Sequence, residues 1–393
     1  MDDRGHQIEK KFEERFSIKP LLVRAPGRIN LIGEHTDYND GFVMPAAIDR
    51  EIIFAFAPAT DGRTIIHADD VNETTEVDLK EVRRDDRGGW INYLLGVVDR
   101  FKARHIEVLP FRCLFGGNIP VGSGLSSSAA LECGFAYGLR ELTGAVLSDE
   151  DLIQIAQWSE HNYAGVKCGI MDQFACVMGK KDHVVMLDCR DLSYRYLPFA
   201  PRDFKVVLFD SNVKHSLASS EYNTRRNECE EGLRVLQQDS PGIRSLRDVT
   251  QKEVESRKGF FREEVFKRLL YVTGEIERVQ AAAADLERND LLAFGAKMTE
   301  THRGLSELYE VSCDELDFLV KELTANPDIA GARMMGGGFG GCVIALVRPA
   351  AVNTIVERLA DAYRATFRLD LTVHQVNLAD GAGLVTTRKS ETA

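Results

Sequence analysis

Residues 116–130, Gly-Gly-Asn-Ile-Pro-Val-Gly-Ser-Gly-Leu-Ser-Ser-Ser-Ala-Ala, lead from an apolar segment straight into a helical pattern, and this junction restricts the fold more than any other stretch. Gly122 and Gly124 let the backbone turn tightly and approach a ligand, while Ser126, Ser127 and Ser128 bring hydroxyls to a helix entrance where free N–H groups point outward. Such a place attracts phosphate. The helix that follows is carried by Ala130, Cys133, Gly134, Tyr137 and Leu142 on one face, with Gly144 at its stop. A capping turn would account for Gly-Ser-Gly alone; the full Pro-x-Gly-x-Gly-Leu-Ser-Ser-Ser-Ala string points to a phosphate loop. It lacks the Gly-Lys-Ser/Thr end of a P-loop and the third glycine of the dinucleotide fingerprint, and the chain has neither the HRD nor the DFG of a protein kinase. With no lysine inside the loop, charge neutralisation falls to backbone N–H groups, the helix dipole, a Mg2+ ion and a distant acid that holds it.

The partner classes follow from charge. Lys plus Arg number 49 against 61 Asp plus Glu, a net charge of −12, which repels a nucleic-acid backbone. No nucleic acid is expected as partner. No uncharged apolar run approaches the roughly 20 residues of a membrane span, and the charged start of the chain carries no export pattern. The eight cysteines show no C-x-x-C pair or zinc-like spacing, so a reducing, cytoplasmic location is expected, with the chain a monomer or weak homo-oligomer. Asn72-Glu-Thr74 matches a glycosylation tripeptide but reads as a loop in a chain that is not exported.

Residues 10 to about 200 alternate β-like runs (21–25, 51–57, 63–68) with helical ones (90–101, 126–142), a mixed α/β or α+β unit. Strand-like 204–210 and 342–347 flank long helical periodicity from about 260 to 325, and a helix near 351–366 and a strand at 371–376 close the chain. A second α+β layer is expected, with domains at 1–203 and 204–393 and a surface loop at 239–250.

Three further clusters carry chemistry. Arg28, Glu34, His35 and Asp37 interrupt a Gly-punctuated β-like segment with the hydrogen-bonding density that reads several sugar hydroxyls; a solvated loop is the alternative. Asp172 lies among Ile170, Met171 and Phe174, where a carboxylate is either a structural cap or a working group. Glu160, on a helical run of about 150–161, is an oxygen ligand of the kind that suits Mg2+, or else a solvated helix charge. Gly336-Gly-Gly-Phe-Gly-Gly341 permits close backbone approach either to a neighbouring loop or to a ligand. Trp90 is either a base-stacking ring or a core tryptophan.

Taken together, GRINLIGEHTDYNDGFVMPAAID, PVGSGLSSSAA and MMGGGFGGCVIAL resemble, in order, three motifs of the GHMP small-molecule kinases, and the first resembles the sugar signature of that superfamily's galactose 1-kinases. The resemblance implies an α+β, two-domain fold: an N-terminal domain like the second domain of ribosomal protein S5, a ferredoxin-like C-terminal domain, and an active site between them. It implies D-galactose and MgATP as partners. Asp172 would be the catalytic aspartate beside the anomeric hydroxyl and Arg28 its orienting partner. Glu34, His35, Thr36, Asp37, Gly169 and Tyr222 would bind the sugar. Gly122, Ser123, Gly124, Leu125, Ser126, Ser127 and Ser128 would wrap the ATP phosphates, with Trp90 near the adenine, and Ser128 and Glu160 would hold Mg2+.

Overall fold

The apolar runs at 21–25 and 51–57 extend into the long strands Leu21–Asn30 and Pro45–Pro58, paired antiparallel. A computed structural model of the chain describes residues 3–120, 122–199, 201–214 and 218–385; Val121 of the phosphate loop lies outside them. The two strands belong to a six-stranded sheet ordered 383–384, 21–30, 45–58, 111–117, 64–68, 73–77, in which only the pair 64–68 and 111–117 is parallel. Asn72 forms a left-handed turn, as a loop residue should, but Glu73–Val77 continues as the edge strand rather than as loop.

One face of this sheet is covered by helix Ser127–Thr143. Cβ atoms at Gly134 and Gly138 would lie 2.3 and 2.0 Å from the rings of Phe54 and Phe56, so two glycines form the groove that receives two phenylalanines. Helices Trp90–Ala103, Asp149–Ser159 and Met171–Met178 complete that layer. The other face is closed by helix Asp3–Phe16, whose Ile8 and Phe12 pack on Leu22, Ile53, Ala55 and Leu114. The charged N-terminal segment is therefore an amphipathic helix.

The second sheet is antiparallel throughout and ordered 329–334, 340–347, 205–214, 372–376. Numbered along the chain this is 2-3-1-4, with helices between the first and second and between the third and fourth strands, which is the ferredoxin-like arrangement. The helical stretch from 260 to 325 resolves into Glu263–Glu287, Leu291–Glu307 and Asp314–Thr324.

Alternation along these strands divides them between two cores. Val207, Phe209, Val343 and Ala345 face the helices of their own half, while Val206, Leu208, Cys342 and Ile344 join the core of the first sheet. Burial on both faces is why FKVVLFD and CVIALV read as unbroken apolar runs. Helix Glu263–Glu287 is shared in the same way, with Leu269 and Val272 in one core and Val279 and Ala283 in the other. The C-terminal Gly383–Leu384 returns to pair with Val23 and Arg24.

Candidate active site

The pairing of Leu21–Asn30 with Pro45–Pro58 shifts register between Pro26 and Arg28, a bulge that re-aims the Arg28 side chain. A Cβ on Gly27 would lie 2.7 Å from the Leu125 carbonyl, and the Arg28 amide donates to that carbonyl at 3.1 Å, so the bulge seats the strand against the phosphate loop. The buried Arg28 guanidinium then reaches Asp172 with Nε to Oδ1 at 2.7 Å and Nη2 to Oδ2 at 2.8 Å, while Nη1 donates to the Gly124 carbonyl at 2.5 Å. Burial opposes its charge, but Asp172, Glu34 and Asp37 together raise it above the ordinary arginine value. Ser126 donates its hydroxyl to Asp172 Oδ2. Asp172 stands in the first turn of Met171–Met178 with its side chain 23 % exposed, which makes it the accessible end of a fixed ion pair.

In the acidic loop at 34–37, Glu34, His35 and Thr36 are buried and Asp37 is partly exposed, and the loop is braced by residues from the second half of the chain. Glu34 Oε1 accepts from Arg333 Nη2 at 3.1 Å and from the Gly336 amide at 2.8 Å, and Arg333, fully buried, also donates to the carbonyls of Leu31, Asn30 and Met334. Gly33, at φ +100°, donates its amide to Glu275 Oε1 at 2.9 Å, and Tyr271 donates to the Glu34 carbonyl at 3.0 Å. His35 is bonded through Nδ1 to the Tyr38 hydroxyl at 2.8 Å, and its Nε2 is buried without a well-formed protein hydrogen bond. Burial, followed by the charges of Arg225 and Arg333, pushes the imidazole down to about 3, so it is neutral at any working pH. Burial and the charges of Asp172 and Glu34 push the Asp37 carboxyl up to about 7. A Cβ at Gly169 would overlap the Asp37 carboxylate at 1.8 Å, so that carboxylate lies directly on the Gly169 backbone.

These groups line one cavity of about 140 Å³, in which Arg28, Glu34, His35, Asp37, Glu160, Gly169, Asp172 and Tyr222 come together with Gly336 and Gly337. Burial first, then the charge of Asp172, pushes Glu160 up to about 7, against the hydrogen-bonding pull of Cys168, Ser128 and Gln173. Gln173 Nε2 donates to Glu160 Oε2 at 2.6 Å. Among the described residues no group of three or more His, Cys, Asp or Glu side chains could hold a metal ion by itself. One carboxylate and one hydroxyl are still the hard-oxygen donor set that Mg2+ takes when phosphate oxygens complete its shell, so Ser128 and Glu160 fit that ion.

In the phosphate loop Gly122 and Gly124 take φ of +82° and +78°, the left-handed region where glycine is free of strain. Met335, Gly336 and Gly341 lie against the backbone of Ser123 and Gly124, so the third Gly-rich segment both supports this loop and, through Gly336 and Gly337, lines the cavity. Four side chains, those of Thr36, Ser123, Leu125 and Ser126, are engaged otherwise than expected. Thr36 is fully buried with its hydroxyl directed to the carbonyls of Gly33 and Phe42, so it shapes the loop rather than facing the cavity. Ser123 turns its hydroxyl onto Pro120, and Leu125 buries its side chain, leaving only their backbone for phosphate. Ser126 belongs with Asp172. Trp90, expected near the adenine, donates Nε1 to Glu73 at 2.6 Å and sets its ring edge-on to Phe115, half-buried.

Sequence reasoning missed Arg333, Glu275, Tyr271 and Tyr309. Arg333 stands three residues before the Gly-rich segment that begins at Gly336, but Glu275 and Tyr271 lie within ordinary helical periodicity, and only the packing of Glu263–Glu287 under the loop reveals them.

A ferredoxin-like layer joined to a mixed sheet, with a lysine-free Gly-Ser loop over a buried Arg–Asp pair, defines a GHMP small-molecule kinase, and the family descriptions "GHMP kinases N terminal domain" and "GHMP kinases C terminal" match residues 92–180 and 282–365. A third, "Galactokinase galactose-binding signature", matches residues 10–58. The chain is 44% identical over 363 residues to a galactokinase of Thermotoga neapolitana, covering 92% of this chain and 99% of that one. It superposes on the Lactococcus lactis galactokinase complexed with galactose with a TM-score of 0.93 at 32% identity, covering 97% and 99% of the two chains. The Methanococcus jannaschii mevalonate kinase shares the fold alone, with a TM-score of 0.67 at 17% identity over 92% of this chain and 99% of that one. The chain belongs to the galactokinase family.

Proposed function

We propose that the cavity between the two sheets binds D-galactose beside MgATP and that the chain transfers the γ-phosphoryl group of ATP to the anomeric hydroxyl, giving α-D-galactose 1-phosphate and ADP, the step that commits galactose to catabolism. The observation that carries this reading is the bidentate Arg28–Asp172 pair, tied to the Gly124 carbonyl of the phosphate loop and opening into the same cavity as Glu34, His35 and Asp37.

Asp172 accepts a hydrogen bond from the anomeric hydroxyl, orients its oxygen for in-line attack on the γ-phosphorus, and takes the proton late, as the new O–P bond forms and the bond from that phosphorus to the ADP oxygen breaks. Phosphoryl transfer passes through a loose transition state, so placement and charge stabilisation matter more than base strength. Arg28 holds the carboxylate in one orientation and offsets negative charge as it develops; Ser126 fixes the second carboxylate oxygen. Glu34, His35, Asp37, Tyr222 and the Gly169 backbone read the remaining hydroxyls. The amides of residues 122–128 face the phosphates, with Ser127 and Ser128 at the positive end of helix Ser127–Thr143, and Trp90 borders the adenine. Ser128 and Glu160 would hold Mg2+, which when bound would neutralise phosphate charge. We assign the domains to 1–203 and 204–393, with the site between them. Eight unpaired thiols support a reducing, cytoplasmic setting, and no helix among the described residues is long and apolar enough to cross a membrane.

The test is ATP-dependent ADP release with Mg2+ across D-galactose, D-glucose, N-acetylgalactosamine, L-arabinose and no sugar, with the phosphorylated position read by phosphorus NMR. Turnover on galactose at the anomeric oxygen is expected. A different preferred sugar would overturn the specificity and leave the class standing; binding of galactose and ATP without turnover would make the chain a sensor.

A further inference from the structure

Three rings surround His35: Tyr38, Tyr222 and Tyr309, with centroids 5.9, 5.3 and 4.8 Å from the imidazole, and Tyr271 packs 4.8 Å behind Tyr309. Within this cluster a chain of hydrogen bonds runs from His35 Nδ1 to the Tyr38 hydroxyl at 2.8 Å, on to the Tyr309 hydroxyl at 2.8 Å, and from there to the Cys229 thiol at 3.3 Å. At its other end, His35 Nε2 is buried without a well-formed protein hydrogen bond, its ring close to the Gly337 backbone, and belongs to a residue that lines the cavity.

A neutral imidazole has one donor and one acceptor nitrogen, and the partner on Nδ1 decides which role Nε2 takes and where the ring points. The Tyr38 hydroxyl is thus the direct control on His35, and Tyr309 is the control on Tyr38. Burial raises both phenols well above the ordinary tyrosine value, so both stay protonated and able to donate.

Tyr309 is itself held with unusual density. Arg225 donates from Nε to the Tyr309 carbonyl and from Nη2 to the Glu310 carbonyl, both at 2.8 Å, and Arg268 donates from Nη1 to the Leu308 carbonyl at 2.6 Å. Three successive carbonyls are clamped by two arginines from two helices, Ala218–Asp239 and Glu263–Glu287. The clamp fixes the Tyr309 phenol, and two residues further on the Val311 carbonyl accepts from the Phe339 amide of the Gly-rich segment at 2.7 Å.

We propose that Tyr309, acting through Tyr38, is a positioning residue that aims His35 Nε2 at one sugar hydroxyl and thereby sets the discrimination of the site at that hydroxyl. The inference rests on the galactose-kinase reading above. It places a determinant of sugar selectivity in the second half of the chain, outside the sugar signature.

The experiment compares wild type, Tyr309→Phe, Tyr38→Phe and the double variant on D-galactose and its 2-, 3-, 4- and 6-deoxy analogues, with KM for ATP and melting temperature measured in parallel. Tyr309→Phe removes the hydroxyl that joins Tyr38 to Cys229 and raises the galactose KM by about five- to tenfold, with kcat and the ATP KM within about twofold. It also erases the penalty for one deoxy sugar, the one lacking the hydroxyl that His35 reads, and leaves the other three penalties unchanged. Tyr38→Phe removes both that link and the bond to His35 Nδ1, so it shifts the same deoxy-sugar penalty at least as far, and the double variant is no worse than Tyr38→Phe alone. It also stands in if Tyr309→Phe does not fold. A folded variant with an unaltered deoxy-sugar profile, a loss spread over every sugar and ATP, or additive losses in the double variant each overturn the proposal. If wild type does not phosphorylate galactose, the functional reading fails, and calorimetric binding of the same sugars decides the relay by the same criteria.

Discussion

The two walls of the active site are built in opposite ways. On the sugar side, Glu34 and His35 are buried, and the loop that carries them and Asp37 is fixed by groups that arrive from some 240 to 300 residues later in the chain, among them the Glu275 and Arg333 side chains and the Gly336 amide. On the phosphate side, the loop carries two left-handed glycines, and its fixed points are the Leu125 carbonyl under the Arg28 amide, the Gly124 carbonyl under Arg28 Nη1 and the Ser123 hydroxyl on Pro120. The difference follows from the ligands each wall faces. Neutral hydroxyls are told apart only by acceptors and donors held in place beforehand, whereas phosphate is bound by backbone N–H groups that need close approach and little side-chain machinery. Arg28 belongs to both walls, because one guanidinium edge holds Asp172 and the remaining nitrogen holds Gly124.

The largest effect is expected where the walls meet. Asp172→Asn keeps the shape and removes the carboxylate, so kcat falls by about 10³-fold or more while galactose affinity by calorimetry stays within about threefold. Wild-type-like kcat would remove Asp172 from the chemistry. Next, Arg333→Met leaves Glu34 buried without its ion-pair partner, a change of about 3–5 kcal/mol that lowers the melting temperature by about 5–10 °C. Galactose binding weakens with it while ATP binding holds; equal loss of both would erase the distinction between the walls.

A third prediction concerns pH. Because the folded protein raises Asp37 to about 7, above its ordinary value, its contribution to stability is complete below about pH 4 and is lost as pH rises through 7. Asp37→Asn cannot ionise, so without sugar it is more stable than wild type at pH 8 by on the order of 2 kcal/mol, a gain that vanishes at pH 4. Melts at pH 4, 6 and 8 check the sign, and galactose affinity falls in the same variant. The smallest effect belongs to the phosphate loop: at Gly124, with φ +78° and the Met335 carbonyl 3.3 Å from a would-be Cβ, alanine is strained. Gly124→Ala costs about 1 kcal/mol and raises the ATP KM by about tenfold, with galactose affinity by calorimetry unmoved.

Much of this was legible in the chain before any coordinates. Strands at 21–30, 45–58, 205–214 and 340–347 follow from apolar runs, and the helix from Ser127 follows from its entrance serines and the Gly144 stop, because periodicity and turn residues act locally. The phosphate loop was equally open to reading, since backbone amides and glycines lie in one continuous segment. The charged helix Asp3–Phe16 and the helix bearing Tyr222 escaped notice because their apolar stripes are narrow and interrupted by charge.

The sequence by itself determined which segments carry chemistry: a Gly-Ser loop without lysine, an Arg–Glu–His–Asp cluster and an aspartate in apolar company, each readable because its residues are neighbours in the chain. Only the tertiary structure decided how those segments work. It turned the Thr36 hydroxyl away from the cavity, gave the Ser126 hydroxyl to Asp172, and brought Arg333, Glu275 and Tyr309 beneath a loop from which they are separated by more than two hundred residues. The physical reason is that a buried carboxylate or imidazole must find its partners in space, and those partners are set by how two sheets pack across a shared core rather than by any spacing written along the chain.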